Sequence, residues 1–355
     1  MRAVPTSYVP EGAVLAEDLF TASGKILLRA GRTLTTNLIS KINENNIFTV
    51  YINDIHSDHE VNRVVEQSLR VKGIQLIKEL FTAAAEDEEI LSLHNELSQF
   101  ADDVLYEMSA VKENQIEYTD IKNVDDYIYS SALNVAIIAT LIAWDLSYNR
   151  EMIKQIFLGG IYHDIGIAFL EPDVVQKNKE LTLEEKKMIL MHPHSGHRFV
   201  KEKAFISAYV KAMTLQHHER IDGNGYPNRV KGDQINMVAQ IVGIADVYDA
   251  MTSDRPYRRA VAPQEAIEYI MGTAGTHFDM KIATTFINKV NPYPKGSIVE
   301  LNDGRKAVVD FVPKQLPLRP KIRIITKNGD GFEYEEVDLQ VNTTLIIEKM
   351  CYDVD

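Results

Sequence analysis

The chain has 355 residues, 45% of them hydrophobic and 25% charged, and a formal net charge of -13 at pH 7. That length holds two or three domains with ample core, and that acidity excludes a general binder of long nucleic acids. The single cysteine, Cys351, excludes an intramolecular disulfide, and no apolar run follows Met1 to Pro5, so a cytoplasmic chain without membrane insertion is expected.

Residues 1–56 read as a small α+β module. Strands are expected over 13–20 and 25–28 around a Ser23-Gly24 turn, then a helix over 35–46 opened by Thr35 or Thr36, then a strand over 48–52. No residue set there suggests chemistry, which points to docking or regulation. Residues 57–118 read as a helical connector. Leu69, Ile74, Ile77 and Leu80 recur at helical spacing, as do Leu97, Phe100, Val104 and Met108 after the acidic turn Glu86 to Glu89. These two amphipathic helices can feed a bundle or form a dimer seam. His94 lacks a ligand-like neighbour and reads as a surface residue.

Residues 119–292 read as an all-α domain, with helices over 130–146, 151–163, 205–218, 236–252, 263–271 and 279–290. A further helix opens on the capping box Thr182-Leu183-Glu184-Glu185 and is interrupted by Pro193. The run from Ala132 to Trp144 is too short to span a bilayer and reads as a buried helix. Residues 293–355 alternate as five short strands, over 297–301, 306–312, 321–326, 332–337 and 344–348, suggesting a small barrel-like β domain. The fold class is multidomain and mainly α.

Chemistry concentrates in His217-His218-Glu219-Arg220-Ile221-Asp222-Gly223-Asn224-Gly225-Tyr226-Pro227. Adjacent residues on a regular helix point about 100° apart, so two neighbouring imidazoles converge only where the helix breaks. Asp222-Gly223 and Tyr226-Pro227 supply the break. Upstream stand Tyr162-His163-Asp164-Ile165-Gly166 and His192; downstream stand Asp246, Asp249 and Arg255-Pro256-Tyr257-Arg258.

This pattern, over about Val124 to Asn291, closely resembles the HD-GYP family, metal-dependent phosphodiesterases that open cyclic di-GMP. The resemblance implies a helical fold and two divalent ions, with iron or manganese the expected metals. It implies that Asp164 bridges the ions and is the catalytic carboxylate. His192, His217 and His218 then complete one site, and His163 and Asp246 belong to the other. Gly225, Tyr226 and Pro227 would line the nucleotide pocket, and Arg255 and Arg258 would grip guanine and phosphate, work that a planar guanidinium suits. The implied partner is cyclic di-GMP or a related cyclic dinucleotide, with a second copy or a signalling protein as a further partner. His194, His197 and His277 are left out of the site.

Three positions depart from the family pattern. Ser131 stands where the resemblance places a metal-ligating His, and Tyr127 where some members carry a Glu for a third ion. Ile167 stands where the family has a Lys beside the phosphate. A hydroxyl is a poor ligand beside imidazoles, and isoleucine can move no proton. Two readings follow: a slow phosphodiesterase, or a non-catalytic module that binds the nucleotide or docks partners.

Overall fold

The computed structural model describes every residue except 22–24, 46, 48, 55, 57–63, 111–126, 176, 178–180, 254–259, 330 and 353–355. The N-terminal module contains β1 (Arg2–Pro5), β2 (Val14–Leu15), β3 (Leu19–Phe20), β4 (Ile26–Leu28), α1 (Thr36–Glu44) and β5 (Thr49–Asn53). Thr35 caps α1 by accepting from the Leu38 N–H. An antiparallel sheet of order β1-β5-β2 sets Val4 opposite Val50, over a core of Leu15, Leu34, Ile42 and Ile52. Strand β1 was not expected, because four residues ending in a proline show little alternation. The strand expected over 13–20 divides instead, and β3 turns away to pair with β4.

The helical body runs through α2 (Gln67–Ala85), α3 (Leu91–Ala110), α4 (Tyr127–Asp145), α5 (Arg150–Tyr162) and α6 (Pro172–Val175). It continues with α7 (Leu183–Leu190), α8 (His192–Lys201), α9 (Ala208–Gln216), α10 (Met237–Thr252), α11 (Pro263–Thr273) and α12 (Met280–Lys289). Every residue from Ser130 to Ala143 is buried, so α4 is covered on all sides within the helical body. With 19 residues it is, against expectation, long and apolar enough to cross a membrane, but it is packed among α2, α5, α10 and α12. Gly160 lets α5 lie directly on it, since a Cβ there would sit 2.5 Å from the Ala136 Cα. The apolar faces of α2 and α3 enter this same core through Ile77, Leu80, Phe100 and Val104. Thr182 and Glu185 form the capping box of α7. Pro193 starts a new helix rather than interrupting one: it occupies the first turn of α8, where its missing N–H costs nothing.

The C-terminal domain has β6 (Ile298–Leu301), β7 (Lys306–Phe311), β8 (Lys321–Asn328), β9 (Gly331–Asp338) and β10 (Ile347–Cys351). They pair antiparallel in the order β10-β6-β7-β8-β9 over Val299, Val309, Ile322 and Ile324. Among the described residues the edges β10 and β9 do not pair with each other, so the hydrogen bonding there is that of an open sheet rather than a closed barrel. The last strand begins later than expected because Asn302 captures the preceding segment, bonding the Thr344 carbonyl and the Ile346 N–H. The two small modules meet. Arg2 binds Asp54 at 2.6 Å and donates to the Tyr352 carbonyl at 3.1 Å, and His56 Nδ1 bonds the Tyr334 hydroxyl at 2.9 Å.

Candidate metal centre

Helix ends deliver most of the site. His163 follows the last residue of α5 and Asp164 comes next; His192 opens α8; His217 closes α9, with His218 in the turn beyond. Asp246 alone of the six stands away from a helix end, well inside α10. Three glycines bring these elements into backbone contact. A Cβ on Gly166 would lie 1.9 Å from the His192 carbonyl oxygen, one on Gly196 2.9 Å from the Gly166 nitrogen, and one on Gly243 2.4 Å from the His217 carbonyl oxygen. Glycine alone permits approach this close.

All six residues named from the sequence as ligands converge. One donor atom each from Asp164, His192, His217 and His218 lies within 4.8 Å of the others, and the same holds for His163, His217 and Asp246. Three rings are pinned by backbone. Nδ1 of His163, His192 and His217 donates to the carbonyls of Gly160, Ile189 and Met213 at 2.7, 2.7 and 3.0 Å. A carbonyl can only accept, so each neutral ring leaves Nε2 bare and aimed inward, the orientation a metal-binding histidine needs. Nε2 of His192 and of His217 then face each other at 3.2 Å, and that of His192 lies 3.0 Å from Asp164 Oδ1. Two lone pairs and a carboxylate so close repel unless a proton or cation lies between them. His163 Nε2 and Asp164 Oδ1 are buried without a hydrogen-bond partner, a costly arrangement unless another group satisfies them. Imidazoles plus carboxylates at this spacing fit a divalent transition metal.

The charges respond to one another. Burial works against ionising Asp164, but the imidazoles of His163 and His192 outweigh it and hold the carboxyl well below the usual range. His163, although fully buried, is drawn well above the ordinary histidine value by Asp164 and Asp246. Burial, reinforced by His217 and His192, pushes His218 well down, so that ring is neutral and free to ligate.

The loop after His218 folds over the centre. Buried Glu219 is its anchor, accepting from the N–H groups of Asn228 at 2.7 Å and Val230 at 3.1 Å. Gly225 leaves no room for a side chain, since a Cβ would sit 2.4 Å from the Arg220 nitrogen; Gly225 therefore shapes the loop. Tyr226 stacks on His218, ring centroids 4.5 Å apart, and Pro227 follows in the turn. The loop is latched from outside where Ile221 and Asp222 donate to the His277 and Thr276 carbonyls. His277, unassigned from sequence, supports the latch: its Nε2 accepts from Arg220, so its Nδ1–H is left to donate to the Tyr269 hydroxyl. Arg255 and Arg258 lie outside the described residues. His94 is not a surface residue; it is half-buried on α3, with Nδ1 3.2 Å from the Tyr162 hydroxyl. His194 and His197 are partly buried on α8 and belong to neither metal-binding group.

Ser131 is turned to other work: its hydroxyl donates to Asp249 Oδ2 at 2.6 Å. Ile167 lies in a 3-10 turn, Ile165–Phe169, and packs against the helical core.

A family model described as HD domain matches residues 103–282, and one described as KOW domain associated with HD domain matches residues 298–353. The cyclic di-GMP phosphodiesterase PA4108 of Pseudomonas aeruginosa is 34% identical over 204 residues, 58% of this chain and 49% of that protein. The cyclic di-GMP phosphodiesterase PdeB of Borreliella burgdorferi is 27% identical over 228 residues, 63% of this chain and 60% of that protein. The 3'3'-cGAMP-specific phosphodiesterase 1 of Vibrio cholerae is 29% identical over 175 residues, covering 49% of this chain and 40% of that protein. The chain thus spans about half the length of the curated relatives it matches. Since the first of these models runs from α3 into α12 and takes in every residue of the cluster, the chain belongs to the HD domain family.

Proposed function

We propose that the chain is a metal-dependent phosphodiesterase that hydrolyses a cyclic dinucleotide, with cyclic di-GMP the first substrate to test. One observation carries this reading: four histidines and two carboxylates meet, with His163 Nε2 and Asp164 Oδ1 buried and unpartnered. The similarity to phosphodiesterases of cyclic di-GMP and of 3'3'-cGAMP supports the substrate class. Divalent ions held there would neutralise phosphate charge and acidify a water for attack on phosphorus.

The chain's own residues do the rest. Asp164, kept ionised by His163 and His192, presents one oxygen to each side of the cluster: Oδ1 toward His192 and His217, Oδ2 toward His163 at 3.4 Å. That is the posture of a bridging ligand. Tyr226, braced on His218, offers a ring for a base to stack on, and Glu219 keeps the loop in place while it does so. Arg255 and Arg258 are proposed to hold phosphate and guanine.

A second reading, a module that binds the nucleotide without cleaving it, is favoured by Ser131 and Ile167. Ser131 spends its hydroxyl on Asp249, and Ile167 puts an aliphatic chain where the family's lysine would meet the phosphate. Incubating the metal-loaded chain with cyclic di-GMP, beside a His217→Ala control, decides. Linear dinucleotide or GMP that disappears in the control establishes the enzyme; tight binding without product establishes the module. Restoring both groups (Ser131→His with Ile167→Lys) is expected to raise turnover about 100-fold or more, the usual worth of a general acid. No gain would mean the missing groups do not limit the reaction.

A further inference from the structure

Arg70 is a buried cation on α2, only 5% exposed, far in sequence from the metal centre. Its guanidinium donates to Oδ1 of Asn134 on α4. Nδ2 of Asn134 donates to Oδ1 of Asp249 on α10 at 3.0 Å, while Ser131 holds the other oxygen of Asp249. A guanidinium can only donate and a carboxylate can only accept, so the two partners fix which way the Asn134 amide points. Among neutral side chains an amide is suited to both tasks, accepting at one end and donating at the other. A relay therefore crosses three helices, and all four of its side chains are buried.

The relay ends beside the centre. Asp249 lies three residues beyond Asp246, so the two carboxylates are neighbours on one face of α10. Whatever fixes Asp249 also fixes the rotation and rise of the helix where Asp246 stands. There Asp246 Oδ1 lies 3.8 Å from His163 Nε2, and its Oδ2 3.7 Å from His218 Nδ1. Helix α2 also packs against the 3-10 turn that follows Asp164, so it borders one carboxylate-bearing segment directly and reaches the other through Asn134.

We propose that Arg70 is a positioning residue for the metal centre: through Asn134 it holds Asp249, and so sets where Asp246 stands among the histidines. This rests on the reading of the cluster as a divalent-metal site. It gives the connector helix, which leads in from the N-terminal module, a hold on the centre through Asn134 and Asp249. It also gives Ser131 a purpose, since the hydroxyl secures the carboxylate at the far end of the relay.

The test uses the full chain, stripped of metal and titrated with Mn2+ by calorimetry, with thermal unfolding recorded alongside. Arg70→Met is expected to weaken Mn2+ binding by about 10- to 100-fold, the usual effect of losing a group that orients ligands. Arg70→Lys, which keeps a buried cationic donor, is expected to return affinity to within threefold of wild type; a residue that merely filled space would show no such rescue. Should Arg70→Met fail to fold, Ser131→Ala decides at the other end of the relay, with an expected loss of threefold to tenfold. Wild-type Mn2+ affinity in folded Arg70→Met, or in Ser131→Ala where the first does not fold, overturns the proposal. Mn2+ binding by the wild type without turnover of cyclic di-GMP would remove the catalytic reading and leave this result standing. A wild type that takes up no Mn2+ overturns both.

Discussion

Gly166→Ala is the sharpest probe of how the centre is held together. The new methyl would sit 1.9 Å from the His192 carbonyl oxygen and 2.7 Å from the Gly196 nitrogen, where ordinary contact begins at 3.4 Å. Both neighbours are backbone, so neither can swing aside, and α8 must lift from the 3-10 turn by about 1 Å or more. Asp164 lies two residues before this glycine, and its Oδ1 is 3.0 Å from His192 Nε2. Metal–ligand distances tolerate only about 0.2 Å, so a shift several times larger should cost about 100-fold in ion affinity or turnover. Overpacking of this kind also costs about 1–3 kcal/mol of stability, a fall in Tm on the order of 2–10 °C. The assay is ion content by mass spectrometry after desalting, with calorimetric unfolding of the same samples. Gly272→Ala is the control, because nothing lies within 4 Å of a Cβ there, and it should gain about 0.5–1 kcal/mol. If Gly166→Ala keeps wild-type ion content and Tm, close backbone approach does not hold the ligands in place.

Chelation should destabilise the wild type, because ligands from four separate segments bind an ion together only when folded; at an ion concentration 100 times Kd the loss is about 2.7 kcal/mol, read as a Tm shift that His217→Ala lacks. Glu219→Gln should loosen the Tyr226 loop and weaken nucleotide binding about tenfold, with Mn2+ uptake unchanged; calorimetric titration of each ligand checks this, and equal loss for both would refute it. His94 should make stability depend on pH. Burial, then Lys154, lowers its pKa below the ordinary 6.5. Between that lowered value and 6.5 the unfolded chain binds more protons, so stability rises with pH through this window and is lost as pH falls below 6.5. In His94→Gln the Tm-versus-pH curve should lose that part of its slope, and an unchanged curve would show that His94 is as exposed as its sequence suggested.

Most helices were readable from the sequence because their apolar spacing and the Thr182 capping box are local signals, whereas Pro193, read as interrupting a helix, opens α8 instead. The convergence of His217 and His218 was readable for the same reason, since the Asp-Gly and Tyr-Pro turns beside them announce a helix end. What escaped was non-local. The bond of Ser131 to Asp249 joins positions 118 apart, beyond the reach of any local pattern. His94 carries no nearby clue to Tyr162, 68 positions away. Gly196 and Gly243 look like ordinary helical glycines until the backbones of Gly166 and His217 are placed against them. Strand β1 shows no pattern of its own and is strand because β5 offers it a partner.

Arg2 grips the backbone at Tyr352, and the ring of Tyr8 rests against that of Tyr352 with centroids 5.4 Å apart. Opposite ends of the described chain thus form a buckle around the helical body that lies between them in sequence. The two small modules are thereby tied to each other directly, and not only through the helices that separate them in sequence. Donor and acceptor dyes placed beside Arg2 and Tyr352 would report when the buckle opens, without disturbing a single ligand.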